Sequence, residues 1–341
     1  MSHRSAIRPI ALATLAAVAM GCGSSDRREI KSETAGAKTP VVSGSSVDTV
    51  DPSVTTEAVE AKPVSYEQAE STYSSGNYPE AAQLFSLYTE KHPENAWGHY
   101  MLGLAAWKSG EADRALSAFD RALELDPNHR KSMYNSSRVL LAKGRTSESL
   151  ERIELALSQD PLSTEGLRLL GRAKYLSGKV DEAIEAYRRA LSTDDRDVWS
   201  MNNLGLIYIE QERSGEALGP LARAVQLRSN APVFQNNLGV ALERSGYPVA
   251  ASQAYEAAIQ VDSSYTKASV ALARVTGGGQ QPEAEPIDLD ALAQSFQSDI
   301  EGWRASEPVK DSAEVVGPVS DSSTAEIKVS SDTVEEGQHE E

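Results

Sequence analysis

Few residues in this chain are of the types that do covalent or metal chemistry. The five histidines form no pair at the spacing that metal ligands need, and neither a phosphate-binding glycine loop nor a nucleophile elbow is present. The single cysteine, Cys22, excludes an internal disulfide and a cysteine-based metal cluster. The sequence therefore predicts a protein that is not an enzyme and that has no cofactor or metal.

Side chains suited to recognising another protein are much more frequent in the middle of the chain. Aromatic residues and arginines are common at the energetic centres of protein interfaces, and asparagine amides can pair with a peptide backbone. We call the following set the candidate binding residues: Tyr66, Tyr73, Trp97, Tyr100, Trp107, Lys108, Lys131, Tyr134, Arg138, Arg168, Arg172, Tyr175, Trp199, Asn202, Asn203, Asn236 and Asn237.

A repeat positions these residues, and it is clearest between Ala96 and His129. Apolar residues first recur at helical spacing, Gly110 interrupts them, and the pattern then resumes until Pro127. This pattern predicts two helices joined by a turn, in a unit of 34 residues. One such unit cannot bury both of its apolar faces, so copies are expected on either side.

Five further copies follow the same period. Position 8 and position 20 of each unit hold small residues, as Gly103 and Ala115 do, and these let helix backbones approach closely. Position 24 is bulky, as Phe119 is, and fills the space between layers. The predicted units span 62–95, 96–129, 130–163, 164–197, 198–231 and 232–265, and residues 266–275 are predicted to add a capping helix.

A period of 34 residues with small residues at these positions resembles the tetratricopeptide repeat. The resemblance implies an all-α fold, a right-handed superhelical solenoid of six helix–turn–helix units with a C-terminal capping helix, flanked by disordered segments. It also implies that the first helices line a concave groove, where the candidate binding residues would bind a protein or an extended peptide. Two departures stand out, since Glu212 replaces a turn glycine and Pro220 predicts a kinked or shortened helix.

A second interpretation of the candidate binding residues stays open. Trp97, Trp107 and Trp199 would then pack against neighbouring first helices, and the arginines would form a solvated face.

The amino terminus predicts export and a lipid anchor. Three basic residues precede an uncharged apolar run that is too short to span a bilayer and is typical of an export signal. The segment Ala19–Cys22 resembles the lipobox of bacterial lipoproteins, in which the cysteine is acylated; the alternative is an ordinary signal peptide with an incidental thiol. Residues 1–21 are thus predicted to be a signal peptide, Cys22 a lipidated membrane anchor, and residues 22–61 a disordered tether. An outer membrane facing the periplasm is the expected location if the source has two membranes.

The net charge of −17 is concentrated after residue 276, where sixteen residues are acidic and three are basic. Nucleic acid is therefore not a predicted partner, because binding it requires a basic surface. In this part of the chain we predict a linker at 276–286, an amphipathic helix at 287–304 and an acidic disordered tail at 305–341.

The role of the amphipathic helix stays open between an extra cap on the solenoid and a docking helix for a partner or for the protein's own groove. Its apolar face could meet Trp97, Tyr100 and Trp107. We therefore predict that the tail occupies the groove when no partner is bound.

Together these patterns predict a scaffold or adaptor lipoprotein that binds protein segments in the cell envelope. Similar architectures, a lipidated cysteine followed by about six repeats, occur in lipoproteins that help to assemble pilus secretins and secretion machines. The alternative is a regulatory module that sequesters or senses a soluble factor, with the acidic tail as a gate.

Overall fold

A computed structural model describes residues 64–277 and 286–306. In this part of the chain the fold is all-α, and six helix pairs follow one another at the repeat period, as predicted. We call the first and second helix of each pair the first helix and the second helix of units one to six. The pairs are α1 (Tyr66–Ser74) with α2 (Tyr78–Lys91), α3 (Ala96–Lys108) with α4 (Ala112–Leu125), α5 (Arg130–Ala142) with α6 (Thr146–Gln159), α7 (Thr164–Leu176) with α8 (Val180–Thr193), α9 (Val198–Glu210) with α10 (Ser214–Leu227), and α11 (Pro232–Arg244) with α12 (Pro248–Val261). Two further helices follow, α13 (Thr266–Gly277) and α14 (Leu289–Ser306).

The two helices of a unit approach closely at the small residues that the sequence pattern singled out. A Cβ added at Gly103 would lie 2.5 Å from the ring of Phe119, and one added at Gly239 would lie 2.5 Å from the ring of Tyr255. Real Cβ atoms do not approach other atoms so closely, so these positions require glycine. The bulky residue of the second helix thus fills the space that the glycine of the first helix leaves.

The turn after each first helix contains one residue in the left-handed conformation. In unit two this residue is Gly110, with a φ of 86°, whereas in unit five it is Glu212, with a φ of 61°. A Cβ atom disfavours this region of backbone space, because it approaches the following carbonyl oxygen. The turn of unit five is therefore strained in comparison with its glycine equivalents.

Pro220 lies inside α10, yet α10 has 14 residues, the same length as α8 and α12. The helix is therefore not shortened, and the other alternative, a kink at Pro220, stays a prediction. Proline removes a single backbone donor from the helix, and Pro220 is itself buried. Its neighbour Gly219 lies under another helix, α14.

Helix α13 packs on α11 and α12 and buries Ala268 and Ala271, so it caps the array as predicted. Helix α14 instead packs on α8 and α10, the second helices of units four and five. Asp288 caps its amino terminus, because the Asp288 carboxylate accepts a hydrogen bond of 2.9 Å from the backbone N–H of Ala291. The apolar face of α14 buries Ala293, Phe296 and Ile300, and a Cβ at Gly219 would lie 3.2 Å from the Cβ of Phe296.

Polar contacts fix the other end of α14. The side chains of Gln297 and Arg304 both approach Asp195, at 3.1 Å and 3.7 Å. The guanidinium of Arg188 lies 5.1 Å from the ring centre of Trp303. Both predicted positions of this helix, on the end of the solenoid and in the groove beside the aromatic first helices, are therefore wrong. The receiving surface is formed by α8 and α10, where Gly219 has no side chain to obstruct the approach.

Several predicted segments lie outside the described residues: the signal peptide 1–21, Cys22, the tether 22–61, residues 278–285 of the linker and residues 307–341 of the tail. Among the helices that are described, none is both long and apolar enough to cross a membrane.

Candidate binding surface

The first helices of units one to three bring an aromatic group together. Trp97 on α3 donates a hydrogen bond of 2.6 Å from Nε1 to the hydroxyl of Tyr66 on α1. Its ring lies 5.0 Å from the ring of Tyr100, and Nζ of Lys131 on α5 lies 5.4 Å from the Trp97 ring centre. Trp97 is 42% exposed although it is a large apolar side chain. We call Tyr66, Trp97, Tyr100, His129 and Lys131 the aromatic surface.

His129 lies at the centre of this surface, and the sequence analysis missed it. Its ring centre lies 5.6 Å from that of Trp97 and 5.0 Å from that of Tyr100. The signal that could have identified it is its place at the end of unit two, where Asn95 and Ser163 of other units cap the next first helix. His129 does the same for α5, since its Nδ1 accepts a hydrogen bond of 3.2 Å from a backbone N–H.

Burial sets the protonation behaviour of this surface. It lowers the pKa of His129, because the ring loses water that would stabilise the imidazolium; nearby Lys131 lowers this pKa further, whereas Asp126 opposes the shift. Burial also raises the pKa of Tyr100 to about 12. Both side chains are therefore neutral near pH 7, and the lysine carries the positive charge of the surface.

A second aromatic group lies where α1 and α3 end. The rings of Tyr73 and Tyr78 are 5.2 Å apart, and Nζ of Lys108 lies 5.8 Å from the Tyr78 ring centre. Lys108 is exposed, and Trp107 is partly buried beside it in the chain. Tyr78 opens a second helix, so the reading of first helices alone did not find it.

The predicted basic centre of the groove is electrically compensated. Arg138 donates a hydrogen bond of 2.6 Å to Glu165 on the next first helix. Arg168 donates one of 2.7 Å to Asp197, the residue that precedes α9, and this aspartate is buried. These two arginines are therefore held by carboxylates in or directly before the next first helix and not by solvent.

The remaining candidates of units three and four are also engaged in the array. Tyr134 is buried and Arg172 is partly buried. The hydroxyl of Tyr175 donates a hydrogen bond to Glu210 on the next first helix. Burial, followed by this bond to a carboxylate, raises the pKa of Tyr175 far above its ordinary value.

The amides of units five and six join the two first helices to each other. Asn237 donates a hydrogen bond of 2.8 Å to Asn202, and Asn236 donates one of 3.3 Å to Asn237. These three amides are buried, whereas Asn203 is partly exposed. The ring of Trp199 packs against a buried phenylalanine of α11 at 5.1 Å. At this end of the array, Trp199 therefore packs against a neighbouring first helix, as in the second interpretation of the candidate binding residues.

Side-chain pairs link each first helix to the next along the array, and we call this series the first-helix ladder. Its pairs are Tyr66–Trp97, Tyr100–Asn135, Arg138–Glu165, Arg168–Asp197, Tyr175–Glu210 and Asn202–Asn237.

The described residues contain no group of three or more histidine, cysteine, aspartate or glutamate side chains placed to hold a metal ion. What the geometry offers is a surface for contact: aromatic faces with two lysines beside them in units one to three.

Four models of the tetratricopeptide repeat match the chain, at residues 66–130, 106–173, 171–212 and 198–231. No curated protein sequence matches it.

Two solved structures show a similar fold. A tetratricopeptide-repeat protein from Parabacteroides merdae is 13% identical over 62% of this chain and 82% of its own, with a TM-score of 0.53. The Cut9–Hcn1 hetero-tetramer of APC/C is 17% identical over 61% of this chain and 41% of its own, with a TM-score of 0.54. A tetratricopeptide-repeat protein of Thermus thermophilus is 21% identical over 53% of this chain and 98% of its own, with a TM-score of 0.47.

Proposed function

Because the repeat array belongs to the tetratricopeptide-repeat family, we propose that this protein is a non-enzymatic scaffold that binds a segment of another protein on the aromatic surface of units one to three. The observation that carries the proposal is the contrast between the two tryptophans at equivalent positions. Trp97 is 42% exposed, whereas Trp199 is packed against α11. An exposed tryptophan surrounded by polar side chains is typical of a protein contact site.

The charges around Trp97 define the chemistry of the bound segment. Neither Lys108 nor Lys131 forms an ion pair within the described residues, whereas Arg138 and Arg168 do. The partner is therefore an apolar or aromatic side chain that contacts the Trp97 ring, with an acidic residue near it in its own chain. The apolar contact supplies most of the affinity, since exposed charge pairs contribute little.

Photo-crosslinking of the full-length protein in envelope extracts tests this proposal. The double substitution Trp97→Ala with Lys131→Ala is expected to abolish the main crosslinked species. The control is Leu87→Ala on the second helix α2, since Leu87 is 48% exposed and thus comparable in exposure to Trp97. Equal capture by the Trp97→Ala, Lys131→Ala protein and the Leu87→Ala protein would refute the assignment of the surface.

We further propose that the scaffold acts in the cell envelope, anchored by a lipid on Cys22, where pilus or secretion assembly is a suitable setting. The support is the sequence of residues 1–22, in which the only cysteine follows the apolar run. Cys22→Ser is expected to move the protein from the membrane fraction to the soluble fraction. A protein that stays in the membrane, with no acyl chain detected on unsubstituted Cys22 by metabolic labelling, would exclude the anchor.

The alternative function, a regulatory module whose acidic tail gates the groove, is not proposed. Helix α14, which begins this part of the chain, lies on α8 and α10, so within the described residues it does not cover the aromatic surface.

A further inference from the structure

The buried apolar side chains of the array fall into three separate clusters. One joins units one and two and includes Val139 and Leu140 of α5. Another joins α8, units five and six, α13 and α14. Between them lies a small cluster of seven buried residues, which is built mainly from unit three: Met133, Tyr134, Leu141, Ile153, Ala156, Leu169 and Ala173. Among the internal units, the apolar core is therefore thinnest at unit three.

Unit three also places serines where the other units place glycine or alanine. Ser137 and Ser149 occupy the two small positions, and both are fully buried. The Ser137 hydroxyl donates to the carbonyl oxygen of Met133 at 2.6 Å, and that of Ser149 donates to the carbonyl oxygen of Ser137 at 3.1 Å. Such bonds to helix carbonyls add little stability, because these carbonyls already accept helical hydrogen bonds. The contact between α5 and α6 thus contains two hydroxyl groups where the other units have only glycine or alanine.

The second helix of this unit contributes few apolar contacts. Helix α6 buries only Ser149, Ile153 and Ala156, and its Leu155 remains 53% exposed. Position 24 is Ile153, where the two preceding units have phenylalanine, so a smaller side chain fills the space between the helices. Less apolar area is therefore removed from water here than in the neighbouring units.

Two ion pairs connect the helices of unit three to unit two. Lys143 and Arg152 reach Asp113 and Asp120 of unit two, at 2.8 Å and 2.7 Å. The aspartates are 85% and 47% exposed, so solvent and salt screen these attractions. These two ion pairs therefore supply less stability than the apolar contacts between helices supply in the other units.

Units four and five have an additional support that unit three lacks. Helix α14 crosses both α8 and α10 and ties these two units together through Phe296 and Ile300. In a repeat protein each unit contacts only its neighbours, so cooperative unfolding divides where one unit and its interfaces are weakest. We propose that the array unfolds as two blocks that meet at unit three, with units one and two as the N-terminal block and units four to six with α13 and α14 as the C-terminal block.

The four tryptophans provide a reporter for each block. Trp97 and Trp107 lie in the N-terminal block, and Trp199 and Trp303 lie in the C-terminal block. Two double variants of the full chain are unfolded in urea and followed by fluorescence. Trp199→Phe with Trp303→Phe leaves only the N-terminal reporters, and Trp97→Phe with Trp107→Phe leaves only the C-terminal reporters. The N-terminal reporters are expected to change at a lower urea midpoint than the C-terminal reporters. One common midpoint, shared with far-UV circular dichroism, would overturn the proposal.

Repair of the weak unit gives an independent test. Ser137→Ala with Ser149→Ala removes both buried hydroxyls, leaves methyl side chains and leaves no donor without a partner, so the two midpoints are expected to converge. The control is Ser158→Ala, which removes an exposed hydroxyl of the same helix that donates to the carbonyl oxygen of Leu155. If Ser158→Ala and the double substitution change the difference between the two urea midpoints equally, the buried serines do not determine where the array divides.

Hydrogen exchange is measured on the unsubstituted chain, so its result does not depend on the tryptophan substitutions. The amides of α5 and α6 are expected to exchange faster than those of α3, α4, α9 and α10. Equal protection of these helices would also overturn the proposal.

Discussion

Acidification is expected to destabilise the start of α5, and with it the aromatic surface, through one side chain. Neutral His129 caps this helix by accepting the backbone N–H of Ser132 at its Nδ1. The protonated ring has no acceptor and places a positive charge at a helix amino terminus, where the helix dipole disfavours it. Protonation therefore exchanges a favourable cap for an unfavourable charge.

The magnitude follows from these two effects. Loss of an N-cap costs about 0.5–2 kcal/mol, and a charge of the wrong sign at a partly exposed helix end costs about 0.3–1 kcal/mol. Because His129 is partly exposed, we expect a loss of about 1–2 kcal/mol in the free energy of unfolding. Burial lowers the pKa of His129 in the folded state, so the unfolded chain binds this proton first. The contribution is complete above the ordinary histidine pKa of about 6.5 and is lost as the pH falls through that value towards the folded-state pKa.

Urea unfolding at about pH 8 and about pH 5 measures this loss. The control is His129→Asn, since Asn95 caps α3 by accepting the N–H of Gly98 at 2.9 Å without titrating. Carboxylates whose pKa values are lowered by ion pairs, such as Asp113 and Glu148, are common to both proteins and cancel in the comparison. The reasoning is refuted if His129→Asn loses as much stability on acidification as the unsubstituted chain.

Three further substitutions test the packing. Phe296→Ala is expected to release α14 and to shift Trp303 fluorescence towards that of exposed tryptophan, at a cost of up to about 3–5 kcal/mol, whereas the exposed Gln294→Ala is expected to do neither. Glu212→Gly is expected to stabilise the chain by about 0.5–1 kcal/mol, because it relieves a left-handed residue; an unchanged urea midpoint would show that the turn is not strained. Gly103→Ala is expected to cost about 1–3 kcal/mol, measured by thermal unfolding, because the new Cβ overlaps a phenylalanine ring.

The sequence was sufficient to predict the helices because their determinants are local. Apolar spacing, turn glycines and small residues such as Gly103 recur at a constant period, and each acts within one unit or between adjacent units. The same locality explains why the repeat pattern alone identifies Glu212 as a departure, at the turn where its φ is 61°.

The binding surface was less predictable, because exposure depends on pairs that span two units. Arg138 and Lys131 are both basic residues of α5, yet only Arg138 has a carboxylate, Glu165, within reach. Choosing between them requires the rotation of one first helix relative to the next, which the repeat period does not specify. His129 was missed for a different reason, since its function as a cap depends on its backbone and not on its face of a helix.

The position of α14 was also beyond the sequence. An amphipathic pattern shows that a helix has an apolar face but does not show which surface receives it. Two residues could have indicated the receiving surface: Gly219 in the middle of a helix, and Asp195 where earlier units have proline. Both make sense only with α14 in place, since Phe296 lies over the glycine and Arg304 approaches the aspartate.

The first-helix ladder gives the six units a fixed order. Their backbones are alike, but each junction joins a different pair of side chains, such as Tyr66 with Trp97 or Asn202 with Asn237. Removing unit four would bring Arg138 opposite residues of unit five without its partner Glu165, and would leave Glu210 without Tyr175. Duplicating a unit would create the same kind of mismatch. An array joined in this way can change by substitution at one junction, but it cannot gain or lose a unit without a second change that restores the pairing.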